Sequence, residues 1–218
     1  DLVNPDRVQH YIQQASTTRV PYYIALPTYG YRFIFDAQGA FTALIAEQHV
    51  PTLEPGAQER TVMSDPAGMA TLVRHLNDQP PRGCLGIVWF RLPVAGDALN
   101  WSWPTLQAVM AGRTPRTQVH AEIRNPATGL YEIWVNNQGQ HTPDTPLHID
   151  WASDTPITVY DTMNDYTWRD TEHGPQLTGH APPIGENIRV AWYRSPPTTT
   201  PKTPTATLYF TLPKKDTP

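Results

Sequence analysis

The chain has 218 residues, room for one large domain or two small ones with a sizeable core. Hydrophobic residues make up 39%, charged residues 17%, and the net formal charge is -4; with no long apolar run, this argues against a transmembrane segment, a coiled coil and a basic nucleic-acid binder. A single cysteine excludes an internal disulfide framework and a cysteine zinc site, and the 24 prolines, about twice ordinary usage, mark a strand-rich chain with frequent stops.

Asn4-Pro5 predicts an N-cap followed by proline at the first helical position. Val8, Tyr11, Ile12 and Ala15 then fall at helical spacing and predict a helix over 5–15. Val20–Leu26 (VPYYIAL) predicts a strand of the buried, parallel-sheet kind, stopped at Pro27-Thr28-Tyr29-Gly30. Arg32–Phe35 and Ala40–Glu47 flank Asp36-Ala37-Gln38-Gly39 and predict a β-hairpin with glycine at the turn. Residues 51–60 read as a polar loop. Ser64 or Asp65 caps a helix from Pro66, whose apolar stripe is Met69, Leu72, Val73 and Leu76. Gly86–Leu92 (GIVWFRL) predicts a second continuous apolar strand, stopped by Pro93. Trp103–Ala111 reads as a short helix ended by Gly112.

The pattern changes near residue 113. Strict alternation follows in Val119, Ala121, Ile123; in Tyr131, Ile133, Val135; in Leu147, Ile149, Trp151; and in Ile188, Val190, Trp192. Each set predicts a strand with one apolar face, and several such strands separated by turn residues predict an antiparallel sandwich. Residues 196–205 (PPTTTPKTPT) read as linker, and Thr205–Leu212 as a last strand. The expected fold class is therefore α/β plus all-β: an α/β part over residues 1–113, a sandwich-like part over 114–195, and a Pro/Thr-rich linker with a last strand over 196–218. Two buried-type strands alone make a poor parallel sheet, with unpaired edges and under-packed helices. The first part therefore reads as a piece of a larger α/β domain. Its expected partner is a missing N-terminal segment, upstream of Asp1, or a second chain.

Three stretches carry a resemblance. One is Ile24-Ala25-Leu26-Pro27-Thr28-Tyr29-Gly30-Tyr31, followed by Phe35-Asp36 and Gly39. The second is Gly86-Ile87-Val88-Trp89-Phe90-Arg91-Leu92-Pro93, followed by Asp97 and Trp101. The third is Tyr131 to Gly139 with Val190-Ala191-Trp192-Tyr193-Arg194. Over roughly residues 1–195 the chain resembles the C-terminal part of the bacterial DUF3142 family. The resemblance implies the C-terminal portion of a (β/α)8-type barrel followed by a β-sandwich. LPTYG is similar to the sixth-strand motif of chitinase-like barrels, and GIVWFRL to their last strand, whose tryptophan stacks on a sugar. The implied ligand is a glycan and the implied setting the periplasm or cell envelope. The acidic run of the fourth strand of such barrels (DxxDxDxE) is absent from this chain.

On this reading Trp89 and Arg91 share a strand face at the barrel mouth, where tryptophan could stack on a sugar and arginine donate to hydroxyls or a carboxylate. The alternative is that Trp89 is core and Arg91 pairs a buried acid. Tyr29, Tyr31 and Arg32 follow the other strand to the same mouth, or Tyr29 simply packs after a turn. Two carboxylates flanking a bond would suit glycoside hydrolysis, but Asp36 reads as a turn residue, and Asp97 either joins the site or caps the helix at Trp103. The candidate substrate-binding set is therefore Tyr29, Tyr31, Arg32, Trp89, Arg91 and Asp97, with no catalytic residue assigned.

The histidines, His49 among them, are scattered without zinc spacing, so neither a metal nor a cofactor is expected. Cys84 reads as a core thiol, Asn100-Trp101-Ser102 as a chance glycosylation sequon, and Asp161, Asn164 and Asp165 as a polar loop. Of the tryptophans in the second part, Trp151 and Trp192 fall on core-facing phases, and Trp134 is the best candidate for exposure. Two functions stand open. In one, the complete protein binds or cleaves a glycan, the missing part supplies the catalytic acid, and this chain alone is inactive. In the other, the protein is a non-catalytic carbohydrate- or protein-binding module of the cell envelope, working through its β part.

Overall fold

A computed structural model describes residues 2–46, 52–94, 96–143, 145–152, 156–196 and 206–210. The chain divides into two units, Asp1–Pro115 and Arg116–Pro218. Sheet dominates, with three helices among the described residues. No helix among them is long and apolar enough to cross a membrane.

Unit 1 opens with α1 (Pro5–Thr17), capped by the Asn4 side chain, which accepts from the Arg7 N–H. Val8 and Ile12 pack inward, whereas Tyr11 is exposed, so the inward stripe is narrower than the spacing predicts. Strand β1 (Tyr22–Pro27) leads through Tyr29 into β2 (Gly30–Phe35). A turn closed by Asp36, whose carboxylate accepts from the N–H groups of Gln38 and Ala40, returns the chain as β3 (Phe41–Ile45). The stretch expected to be a polar loop ends instead in a strand, β4 (Gln58–Met63), which pairs with β2 on its other side. Its exposed Gln58, Glu59 and Arg60 hide the strand from a hydrophobicity pattern.

Asp65 caps α2 (Pro66–Asp78), and all four stripe residues are buried. Next, β5 (Cys84–Phe90) pairs in parallel with β1, Ile24 opposite Ile87 and Leu26 opposite Trp89. The cap of α3 (Trp103–Met110) is Ser102 and not Asp97. Ile24, Leu26, Ile87 and Trp89 share one core with α2 and α3. The opposite face of this two-stranded sheet is bare, which corrects the expectation of strands buried on both faces. Tyr23, Leu85, Val88 and Phe90 are exposed, Phe90 by 61%.

Unit 2 is a sandwich of two four-stranded antiparallel sheets. One has the order β6–β7–β12–β9, built from β6 (Val119–Ala127), β7 (Leu130–Asn137), β12 (Asn187–Arg194) and β9 (Val159–Thr162). The other has the order β10–β11–β8–β13, from β10 (Thr167–Thr171), β11 (Gly174–Gly179), β8 (Leu147–Trp151) and β13 (Ala206–Phe210). Strands β9, β10 and β11 alternate too weakly to be read from the sequence. The loop expected at Asp161–Asp165 ends β9 and turns through Asn164 and Asp165 at positive φ, a conformation these residue types tolerate. The core joins Ile133, Val135, Val190 and Tyr193 of one sheet to Leu147, Ile149, Trp151 and Leu177 of the other. His49, most of the expected linker, and Thr205, Thr211 and Leu212 lie outside the described residues.

The alternation expected in β12 breaks at a register shift between Arg189 and Ala191. Val190 and Ala191 are both buried there, and the phase flips. Tyr193 enters the core, its ring stacked 4.9 Å from that of Tyr131, and Trp192 turns to the outer face. On that face Glu132 accepts from Arg189 and, at 3.1 Å, from the Trp134 indole. Burial alone would raise the Glu132 carboxyl, but these donors outweigh it and hold the pKa below the ordinary value.

Two outcomes follow. Ile133→Ala, in a side chain with no exposure, is expected to destabilise the chain by about 2–5 kcal/mol in urea unfolding, whereas the exposed Val159→Ala changes little. A carboxyl with a depressed folded pKa contributes stability above its unfolded pKa and loses it as pH falls through the folded value. Urea midpoints are therefore expected to fall on acidification, and Glu132→Gln to flatten part of that fall.

Candidate functional site

Parallel pairing sets the carboxyl ends of β1 and β5 side by side, the end at which open and closed parallel α/β sheets carry their sites. Thr28 extends the pairing beyond β1: its N–H donates to the Phe90 carbonyl at 2.9 Å and its hydroxyl to the Arg91 carbonyl. The Phe90–Arg91 peptide is cis. Tyr29 is fixed by its backbone, whose carbonyl accepts from the Ser64 N–H and hydroxyl, and by a bridge to Asn100. Gly30 has no room for a side chain, because a Cβ would overlap the Met63 sulfur and the Val62 carbonyl. Main-chain bonds thus seat the turn after β1 against the loop after β5.

Four of the six expected residues meet there. The Tyr29 and Tyr31 hydroxyls are 3.1 Å apart. The Arg91 guanidinium lies 5.7 Å from the centroid of the Tyr29 ring, and its Nη2 is 2.7 Å from Asp97 Oδ2. Asp97 also accepts from the Leu99 N–H at 3.0 Å, so it belongs to the loop that carries Arg91's partner. The hydrogen bond to Tyr31, then burial, holds the Tyr29 phenol above its ordinary pKa.

The other two lie elsewhere. Trp89 turns into the helix-side core, 6.3 Å from Trp101, while Phe90 is the exposed aromatic beside it. Arg32 pairs Glu59 at 3.6 Å across β2 and β4. Cys84 is half-buried, its thiol 3.7 Å from the Gly86 carbonyl. No cluster of metal-ligating side chains occurs among the described residues.

Asn100 joins the site without having been expected there. Its amide donates to the Leu92 carbonyl at 3.0 Å and the residue is buried, so the sequon reading has no accessible acceptor. Its Oδ1 and the Nε of Arg91 are buried without hydrogen-bond partners. Buried polar atoms are paired in the great majority of cases.

Residues 1–95 match the family model described as Domain of unknown function (DUF3142). The match supports the resemblance over the segment that carries Tyr29, Tyr31, Arg32, Trp89 and Arg91, and it stops short of Asp97 and of unit 2. Among curated proteins none matches the chain.

The Arg91–Asp97 pair is partly buried, with side-chain exposures of 26% and 10%. A double-mutant cycle of Arg91→Ala and Asp97→Ala is expected to give a coupling above about 1 kcal/mol, beyond the range of exposed pairs. A coupling near zero would leave the two groups as independent surface charges.

Proposed function

We propose that unit 1 is a sector of a larger parallel α/β sheet of the (β/α)8-barrel, glycoside-hydrolase-like kind, and that its rim at Tyr29, Tyr31, Arg91 and Asn100 binds a glycan. The observation that carries the ligand is the part-buried Tyr29–Tyr31 hydroxyl pair with the Arg91 guanidinium over the Tyr29 ring. A sugar hydroxyl donates and accepts at once and can bond to either phenol. The larger sheet is supported by the bare face of β1 and β5. Tyr23, Val88 and Phe90 have the apolar character of strands covered on both sides, yet only one side is covered. Its further strands come from additional sequence of the same polypeptide or from a second chain.

A second reading, a module that binds carbohydrate or protein without cleaving it, is favoured by the state of Asp97. That carboxylate is engaged by Arg91 and by the Leu99 N–H, so it serves to position the arginine. On the first reading, a catalytic acid comes from the strands that complete the sheet.

The test compares this chain with a longer form that includes any adjoining coding sequence of its gene. The longer form is expected to bind oligosaccharides in calorimetric titration, and Arg91→Ala or Tyr29→Phe to weaken binding by about ten-fold or more. Hydrolysis, followed by reducing-sugar release, is expected in the longer form alone if the barrel is an enzyme. Binding without release favours the module. A longer form that neither binds nor cleaves any glycan overturns both glycan readings.

A further inference from the structure

The outer face of the β6–β7–β12–β9 sheet carries a tryptophan that the fold does not use. Trp192 is half-buried, and its side chain makes neither a hydrogen bond nor a ring contact among the described residues. It stands on this face only because of the register shift at Val190; without that shift it would enter the core. Trp134, on the same face, is by contrast absorbed into local structure. The Arg124 guanidinium lies 4.3 Å from its ring centroid, and its indole N–H donates to Glu132.

The surroundings of Trp192 are ordered by pairing. Glu132 of β7 stands directly across from it on one side and Asp161 of β9 on the other. Opposed residues on one sheet face have Cβ atoms roughly 5 Å apart. Along its own strand the next outward residues are Arg189 and Arg194. The indole is thus flanked by acceptors across the sheet and by donors along the strand. Glu132 is held by Arg189, and Glu122 by Arg124, so these groups are placed before any ligand arrives. With Asp161 and Arg194 the face carries three carboxylates and three guanidiniums, which balance to no net charge.

We propose that this face is a second glycan-binding site, specific for uncharged polysaccharide chains, with Trp192 as the plate on which a sugar ring stacks. The C–H face of a pyranose matches an indole, and its equatorial hydroxyls reach outward to the flanking acceptors and donors. Charge balance selects a neutral chain, because an acidic one would meet Glu132 and Asp161 at the plate's edges. A protein partner suits the face less well. Interface cores are depleted of charge, and four charged neighbours of Trp192 would have to lose water beneath a dry contact. This site is independent of the rim in unit 1.

Affinity electrophoresis of the full chain tests it, in native gels containing hydroxyethylcellulose, glucomannan, xyloglucan or mixed-linkage β-glucan, with polygalacturonate and alginate as acidic counterparts. At least one neutral polymer is expected to retard the chain, with little dependence on salt. Trp192→Ala is expected to weaken that retardation about ten-fold and Asp161→Ala several-fold, with urea midpoints close to wild type. Trp192 and Asp161 both belong to unit 2, so a loss in these variants assigns the binding to this face and not to the unit 1 rim. If Trp192→Ala lowers the urea midpoint markedly, Asp161→Ala alone decides, since that side chain is exposed. No retardation in any neutral gel, retardation only by acidic polymers, or retardation unaffected by the folded variants would overturn the proposal.

Discussion

Unit 1 depends on the parallel pairing of β1 with β5. The two strands are the only parallel pair among the described residues. Their inward residues, Ile24, Leu26, Ile87 and Trp89, join both strands to the helices in one core. The same register that aligns Leu26 with Trp89 brings Tyr29 near Arg91 just past the end of the ladder. Core packing and rim geometry are thus one constraint. A slip in register would expose the apolar set and would also part the phenol from the guanidinium.

Unit 2 rests on a different device. Its core rings are fixed by a strand that changes phase halfway. Before the shift, Ile188 stands opposite Val135 on the inward side; after it, Tyr193 does so opposite Tyr131. Tyr193 then continues an aromatic path to Trp151 at 5.8 Å and Trp168 at 6.2 Å, tying β12 to the opposing sheet. A stack of this size needs Tyr193 inward, and strand geometry then forces its neighbour Trp192 outward. The outward tryptophan follows from the core's demand for a tyrosine.

Much of this was legible in the sequence, and the failures have physical causes. Capping by Asn4 and Asp65 depends on local chemistry, and so does the Asp36 turn; all three are read from a few residues. The stripe of α2 is periodic, and its four large residues were legible; buried Ala70 was not, because so small a side chain carries little hydrophobic signal. Strand β4 was missed because its partner contacts are main-chain and its side chains largely polar. The phase of Trp192 was misread because a bulge adds one residue without any mark in composition. At the rim, Tyr29, Tyr31, Arg91 and Asp97 could be nominated from their places after two apolar strands. Asn100 could not, because what distinguishes it is an unmet acceptor, a property of three-dimensional surroundings. Trp89 shows the converse: its strand was right, but which face the helices cover is decided by tertiary packing.

The bare sheet face and the rim belong to the same two strands. Apolar surface left in water forgoes about 25 cal/mol per Å² of stabilisation, and Tyr23, Leu85, Val88 and Phe90 leave a continuous stretch of it. Strands that covered this face would also bring their own carboxyl ends to the rim. Water would then be displaced from around Arg91, which is now held by Asp97 on one side and has a buried Nε without a partner. In drier surroundings each charge at the rim acts over a longer range. If further strands complete the sheet as proposed, covering the face would stabilise the fold and sharpen recognition of a ligand at the rim through the same residues.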